Sequence, residues 1–240
     1  MEIIMAEKLY TIPVNEAFDT DCECPLCAMY KSLETDAVDF TMGPSYMEDD
    51  VRMATNRMGF CEKHIKKLYV NQNRLGLALM MLSHMDRANE KLSDIKDSRS
   101  HGGLFKKGEQ SPIRAFYDNL ESSCFVCDKI DRTFDRYIAT VFYLYSTDEN
   151  FVAKFGKSKG FCMKHYAVLA ERSEKELDND KCKKFRKTLN DLYFDNMRRV
   201  REDLQGFVDK FDYRNADKPW GNSRDALIRT IQKMNSTDVE

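Results

Sequence analysis

Eight residues of this chain have the types and spacing of a soft-metal donor set. Cys24 and Cys27 form a CxxC, and Cys124 and Cys127 repeat it 100 positions on. Cys61 and His64 form a CxxH within GFCEKH, and Cys162 and His165 repeat it within GFCMKH 101 positions on. Six of the eight cysteines and two of the four histidines fall into these matched sets. A CxxC converges two sulfurs on one ion, and a CxxH at a helix start adds a third sulfur and an imidazole. Three thiolates and one imidazole fill a tetrahedral zinc site and leave no position for water. Taken in chain order, Cys24, Cys27, Cys61 and His64 would enclose one zinc, and Cys124, Cys127, Cys162 and His165 a second. The expected role is structural. Redox dithiols of the thioredoxin kind need a βαβ context that this pattern lacks. Iron–sulfur clusters favour four thiolates.

The elements that must position these donors repeat as well. Ser45 with Glu48, and Ser146 with Glu149, have capping-box spacing. HMDRANEKL, ending at Leu92, resembles NMRRVREDL, ending at Leu204. That shift of 112 exceeds 101 by eleven residues, about three helical turns, assigned to the charged stretch Glu171 to Lys181. With few glycines and prolines and no sustained alternation, the chain reads as all-α. In the first unit one helix is predicted from Cys27 to Met42, broken by Gly43-Pro44, and a second from Ser45 to Met58, ended by Gly59. At about 15 and 14 residues, each is roughly 21–22 Å long, so an antiparallel hairpin would return Cys61 to Cys24 and Cys27. Gly59 and Gly160 stand two residues before the third sulfur, where a left-handed turn is expected.

Each unit closes with a long helix. One buried stripe is expected from Leu75, Leu79, Leu82, Met85, Leu92 and Ile95, and another from Leu189, Tyr193, Met197, Val200, Leu204, Phe207 and Phe211. The predicted organisation is a first unit over 1–98, a linker over 99–111, a second unit over 112–214, and a tail over 215–240. The tail ends in a short helix from about Ser223 to Met234.

Other polar candidates have simpler readings. Cys22 and Cys182 lack counterparts in the repeat: Cys22 reads as an accessible thiol beside a knuckle, able to make the first site oxidation-sensitive, and Cys182 as a packed one. His84 lies in an apolar helix with no acid at ligand spacing, and His101 lies in the linker. Glu48, Asp49 and Asp50 suit a first helical turn. Arg198, Arg199 and Arg201 read as a solvated face, and Tyr137, Phe142, Tyr143 and Tyr145 as core. Neither a phosphate-binding glycine loop nor a hydrolase or metalloprotease motif appears, so no catalytic and no cofactor-binding residue is assigned.

The charge balance of -2 argues against nucleic acid. The longest apolar run, Leu75 to Leu82, is too short for a bilayer. Cysteine-rich, apparently without a signal peptide, the chain is expected in the cytoplasm. The paired CPxC…GFCxxH units, the NRLGLALMM helix and the DYRNADKPWG tail resemble an uncharacterised bacterial family, a domain of unknown function. Phe125 replaces the proline of the second CPxC without removing a ligand. The resemblance implies no activity. The expected function is a zinc-binding scaffold that binds another protein or itself. The alternatives are a thiol- or metal-responsive sensor, or a small-molecule binder or enzyme with a pocket between the units.

Overall fold

The protein is described by a computed structural model covering residues 10–99, 110–215 and 217–239. The opening segment to residue 9 and residues 100–109 of the predicted linker over 99–111, with His101, lie outside the described residues. Eleven α-helices and no strand occur among the described residues, so the all-α expectation holds. They are α1 Thr11–Asp19, α2 Pro25–Met42, α3 Asp49–Met58, α4 Glu62–Val70, α5 Arg74–Arg99, α6 Pro112–Glu121, α7 Phe125–Thr147, α8 Glu149–Lys157, α9 Met163–Glu176, α10 Asn179–Asp209 and α11 Ala226–Asn235. Short 3-10 turns cover Pro44–Met47 and Tyr213–Asn215.

The chain divides into two compact units, but not in sequence order. Unit 1 joins Met1–Lys31 to Phe134–Glu240, and unit 2 is Ser32–Thr133. Both boundaries fall inside helices, one in α2 and one in α7. Helix lengths explain why consecutive segments do not close on themselves. Helix α2 has 18 residues and α3 only 10, so about 27 Å outward is followed by about 15 Å back. In the second half the mismatch is larger, 23 residues in α7 against 9 in α8. The equal-armed hairpin expected from the sequence is not formed.

Two local expectations fail in the same places. Ser45 is not an N-cap; its hydroxyl donates back to the Phe40 carbonyl, and Pro44–Met47 winds as a 3-10 turn before α3. Helix α7 runs through Ser146, and the cap of α8 is Asp148, whose carboxylate accepts from the Asn150 amide at 2.9 Å. Both departures lengthen or displace the outgoing arm.

Unit 1 has an aromatic core. Phe18, Phe142, Phe151, Phe155, Phe161 and Phe185 are buried together, with centroid separations of 5.0 Å for Phe18–Phe151 and 5.1 Å for Phe155–Phe185. Such pairs favour tilted and edge-to-face contacts over flat sandwiches. Helix α10 supplies Leu189 and Val200 as expected, whereas Phe211 is exposed. Unit 2 is more lightly built, around Leu33, Ala37, Val51, Leu68, Leu77, Met80, Val126 and Ile130. Asn73 fastens it: its amide nitrogen donates to the Met42 carbonyl at 2.8 Å, and its oxygen accepts from the Gly76 amide at 2.9 Å.

The stripe on α5 is the clearest correction to the sequence reading. Leu77 and Met80 are the buried positions, whereas Leu75 is 67% exposed and Leu82 and Met85 are each 54% exposed. Leu75, Leu82 and Met85, predicted to face the core, face outward instead.

Gly59 and Gly160 do adopt left-handed backbone, with φ of 59° and 73°. A Cβ on Gly160 would stand 2.9 Å from the Leu192 carbonyl oxygen, a backbone atom that cannot rotate away. Gly160→Ala should therefore lose more than the about 1–2 kcal/mol that left-handed backbone alone costs. Gly156, inside α8 with nothing within 4 Å of its Cβ position, is the contrasting site. Gly156→Ala should stabilise by about 0.5–1 kcal/mol. Denaturant midpoints moving in opposite directions at unchanged slope would establish both effects.

Candidate metal centres

All eight predicted donors assemble, in two quartets, but the grouping differs from chain order. One quartet is Cys24, Cys27, Cys162 and His165; the other is Cys61, His64, Cys124 and Cys127. Within each, the donor atoms all lie within 4.8 Å of one another. Each CxxC thus meets the CxxH of the other half of the sequence. The expected sets of Cys24, Cys27, Cys61 and His64, and of Cys124, Cys127, Cys162 and His165, are not formed. Each observed quartet lies wholly within one unit, the first in unit 1 and the second in unit 2.

The local folding of the ligand pairs is uniform. Cys24 and Cys124 immediately precede α2 and α7, and Cys61 and Cys162 are the N-cap residues of α4 and α9. Cys61 and Cys162 have almost the same extended backbone, with ψ of 164° and 163°. Every quartet is therefore set at two helix N-termini, where unpaired amides and the helix dipole favour thiolate. In unit 2 the knuckles are laced together by Phe125 N–H donating to the Gly59 carbonyl at 3.0 Å. The Ser123 hydroxyl also donates to the Met58 carbonyl at 2.7 Å.

The distances suit one tetrahedral ion in each quartet. His165 Nδ1 lies 3.4, 3.3 and 3.2 Å from the sulfurs of Cys24, Cys27 and Cys162, and the Cys27 and Cys162 sulfurs are 3.6 Å apart. His64 Nδ1 lies 3.4, 3.2 and 3.3 Å from the sulfurs of Cys124, Cys127 and Cys61, with Cys61 and Cys127 3.9 Å apart. Ordinary zinc bond lengths in a tetrahedron give edges of about 3.8 Å between sulfurs and about 3.5 Å between sulfur and nitrogen. None of the eight cysteines forms a disulfide.

The chemistry of the bare donors points the same way. Burial pushes the Cys24 thiol up to about 12. Hydrogen bonds with Cys162 and Cys24, with burial, drive Cys27 far higher. Cys162 is held far below the ordinary thiol range by hydrogen bonds from Cys24 and Cys27. Burial and the adjacent Cys124 raise Cys127 in the other quartet. Three thiolates crowded this closely repel one another when no cation lies between them. A divalent cation is what would make three compatible in that space.

Groups around the ligands differ between the quartets. Glu34 of α2 is buried, and its Oε1 lies 3.0 Å from His64 Nε2. Burial pushes the Glu34 carboxyl up, but Lys63 and Lys67 outweigh it and bring it down to about 2. Lys63 Nζ is 2.7 Å from that carboxylate, which Lys67 also contacts. His165 Nε2 is buried and finds no acceptor among the described residues; the Phe134 ring lies beside it, centroids 5.4 Å apart. Around the unit 1 quartet the polar contacts go to sulfur instead. The Ser236 hydroxyl donates to Cys162 Sγ at 3.1 Å, and the His165 amide to the same sulfur at 3.5 Å.

The sequence reading passed over Glu34, Ser236 and a buried ionic cluster formed by Glu23, Arg199 and Lys233. Only Glu34 left a signal, an acid seven residues after Cys27 and so on the same face of α2. Arg199 is only partly solvated: its side chain is 34% exposed and pairs with buried Glu23. His84 packs as expected, its Nδ1 2.8 Å from the Asn56 carbonyl oxygen. Cys182 lies 3.6 Å from the Ser173 hydroxyl against the aromatic core. Burial raises the Cys22 thiol, the direction opposite to a reactive thiolate. Asp49 and Asp50 occupy the first turn of α3 as expected. A cleft of about 170 Å³ in unit 2, lined by Arg57, His84, Arg87 and Phe116, is smaller than ordinary ligand sites. No described helix is long and apolar enough to cross a membrane.

Fold and donors together define an all-helical protein with two three-cysteine, one-histidine centres able to hold metal. The chain belongs to a family of unknown function, DUF6062, whose family model matches residues 5–240. No curated protein and no solved structure matches it.

Proposed function

We propose that this protein is a non-enzymatic, zinc-stabilised helical interaction module that associates with a second copy of itself. The closed character of both quartets carries the reading. Three sulfurs and one imidazole saturate a tetrahedral ion, which leaves no coordination position for substrate or water. Thiolate and imidazole donors suit zinc better than magnesium, calcium or manganese. Eight unbridged cysteines suit a reducing compartment such as the cytoplasm. The repeated ligand spacing is what two copies of one ancestral segment would leave after exchanging partners.

The outward face of α5 supports the interaction half of the reading. Leu75, Ala78, Leu82, Met85, Asn89 and Leu92 follow each other at steps of three and four, and all are exposed. This is the seam of a coiled coil with a single asparagine at an inner position, a device that selects register between like helices. Of the charged residues here, Asp86 flanks the seam, whereas Arg87 and Lys91 line the cleft of the same unit. A parallel second copy would bring the two Asn89 side chains together at matching positions.

Elemental analysis of the purified chain should find two zinc per polypeptide in a colourless protein, and sedimentation should find a dimer. Leu82→Lys with Met85→Lys should give a monomer that keeps both ions. A brown, iron-containing sample would overturn the zinc reading, and a native monomer at micromolar concentration would overturn the self-association reading.

A further inference from the structure

We infer that the two zinc centres are unequal by construction. The unit 2 ion is held the more tightly, through Glu34, and the unit 1 ion is the more readily exchanged. The inference rests on the zinc reading above and assigns Glu34 as the positioning residue of His64.

In unit 2 the His64 ring is fixed at both ends. Nδ1 faces the three sulfurs, so the proton resides on Nε2, which donates to Glu34 Oε1 at 3.0 Å. Lys63 and Lys67 both contact that carboxylate and orient it. A carboxylate accepting from the remote nitrogen locks the tautomer, orients the ring and strengthens the other nitrogen as a donor. In unit 1 the same ring has no such support. His165 Nε2 is buried beside Phe134 without an acceptor among the described residues, so its N–H is left unpaired where that is costly.

The sulfur side works in the same direction. Ser236 Oγ and the His165 amide both donate to Cys162 Sγ and draw charge from a sulfur that must hold the ion. In unit 2 one backbone contact of this kind occurs, from the Cys127 amide to Cys124 Sγ at 3.5 Å. One centre is thus reinforced at its imidazole, and the other is weakened at its imidazole and at a sulfur. Glu34 and Phe134 stand at corresponding positions in the two halves, 100 residues apart. The difference between the centres comes down to a carboxylate in one and a phenyl ring in the other.

The test is a competition titration of the full-length, zinc-loaded protein against a chromogenic chelator of known affinity. Zinc should leave in two steps of one ion each. Cys162→Ser should abolish the weaker step and Cys61→Ser the tighter one. Glu34→Ala should weaken the tighter step about 10- to 100-fold and leave the weaker one in place. Glu34→Gln, which keeps an acceptor without the charge, should fall between. Phe134→Glu should strengthen the weaker step. In the ¹⁵N-resolved imidazole spectrum, His64 Nε2–H should resonate downfield and lose that shift in Glu34→Ala, with the His165 signal unmoved. Two ions leaving with one affinity would overturn the inference and leave the zinc reading standing; a chain that binds no zinc would overturn both. Should Glu34→Ala fail to fold, the two-step titration with the Cys162 and Cys61 variants still decides it.

Discussion

Cys61→Ser and Cys124→Ser should each remove one metal ion, and combining them should still remove only one. Cys61→Ser combined with Cys24→Ser should remove both. This pattern follows from the quartets as assembled, with Cys61 and Cys124 around one ion and Cys24 around the other. Grouping in chain order demands the reverse, in which Cys61 and Cys24 share an ion. Metal content of the four proteins by mass spectrometry under native conditions separates the two. The accompanying loss of stability should be large and local. Structural zinc contributes on the order of 10 kcal/mol to the folded state of small domains. That is comparable with the whole stability of an ordinary domain, about 5–15 kcal/mol. Unit 2 has the lighter core, so losing its ion should expose the amides of α3, α4 and α6 to rapid hydrogen exchange. The phenylalanine core of unit 1 should stay protected longer when its own ion is stripped. Uniform exchange in both units after Cys61→Ser would contradict the division into separately stabilised parts.

The donor clusters and the helical class were legible because both rest on local chemistry. A CxxC before a helix and a CxxH at a helix start bring sulfur and imidazole together whatever the rest of the chain does. The pairing of those motifs was not legible. With shifts of 100 and 101, pairing within a half and pairing across halves leave the same trace in the sequence. What decides between them is the length of the outgoing arm against the return. That depended on Ser45 and Ser146 not capping helices, although their spacing to Glu48 and Glu149 matched the capping pattern. The α5 stripe failed for a related reason. A three- and four-residue period marks a face, but it does not say whether the partner is the same chain or another. Glu34 and Ser236 become meaningful only once the quartets are assembled, because each is defined by the donor it touches. Helix α9 exceeds α4 by 14 residues to 9, and α10 exceeds α5 by 31 to 26.

Lys233→Met should cost about 3–5 kcal/mol, although methionine fills nearly the same volume. The Lys233 side chain is 1% exposed. Its ammonium donates to the Glu23 carbonyl and the Lys159 carbonyl, each at 2.6 Å, and lies 3.3 Å from Glu23 Oε2. Three N–H bonds thus meet three acceptors, and burial lowers the lysine pKa by more than the Glu23 charge raises it. The ammonium occupies in unit 1 the place that direct hydrogen bonds fill in unit 2: it ties the approach to Cys24 to the approach to Cys162. Methionine would strand two carbonyls and leave Glu23, itself 5% exposed, with Arg199 and, at 4.0 Å, Arg229 as its remaining cations. Removing one member of a buried ionic cluster costs more than the cluster contributes, because the survivor stays desolvated. The double variant Glu23→Gln with Lys233→Met should therefore lose less than the sum of the single losses, with a coupling of about 1–3 kcal/mol. Urea unfolding of the zinc-loaded proteins measures the cycle. A Lys233→Met midpoint within about 1 kcal/mol of the native protein would mean that the lysine merely fills space. The predicted loss instead makes the last helix the clasp of the unit 1 centre, since α11 carries both Lys233 and the turn that brings Ser236 to Cys162.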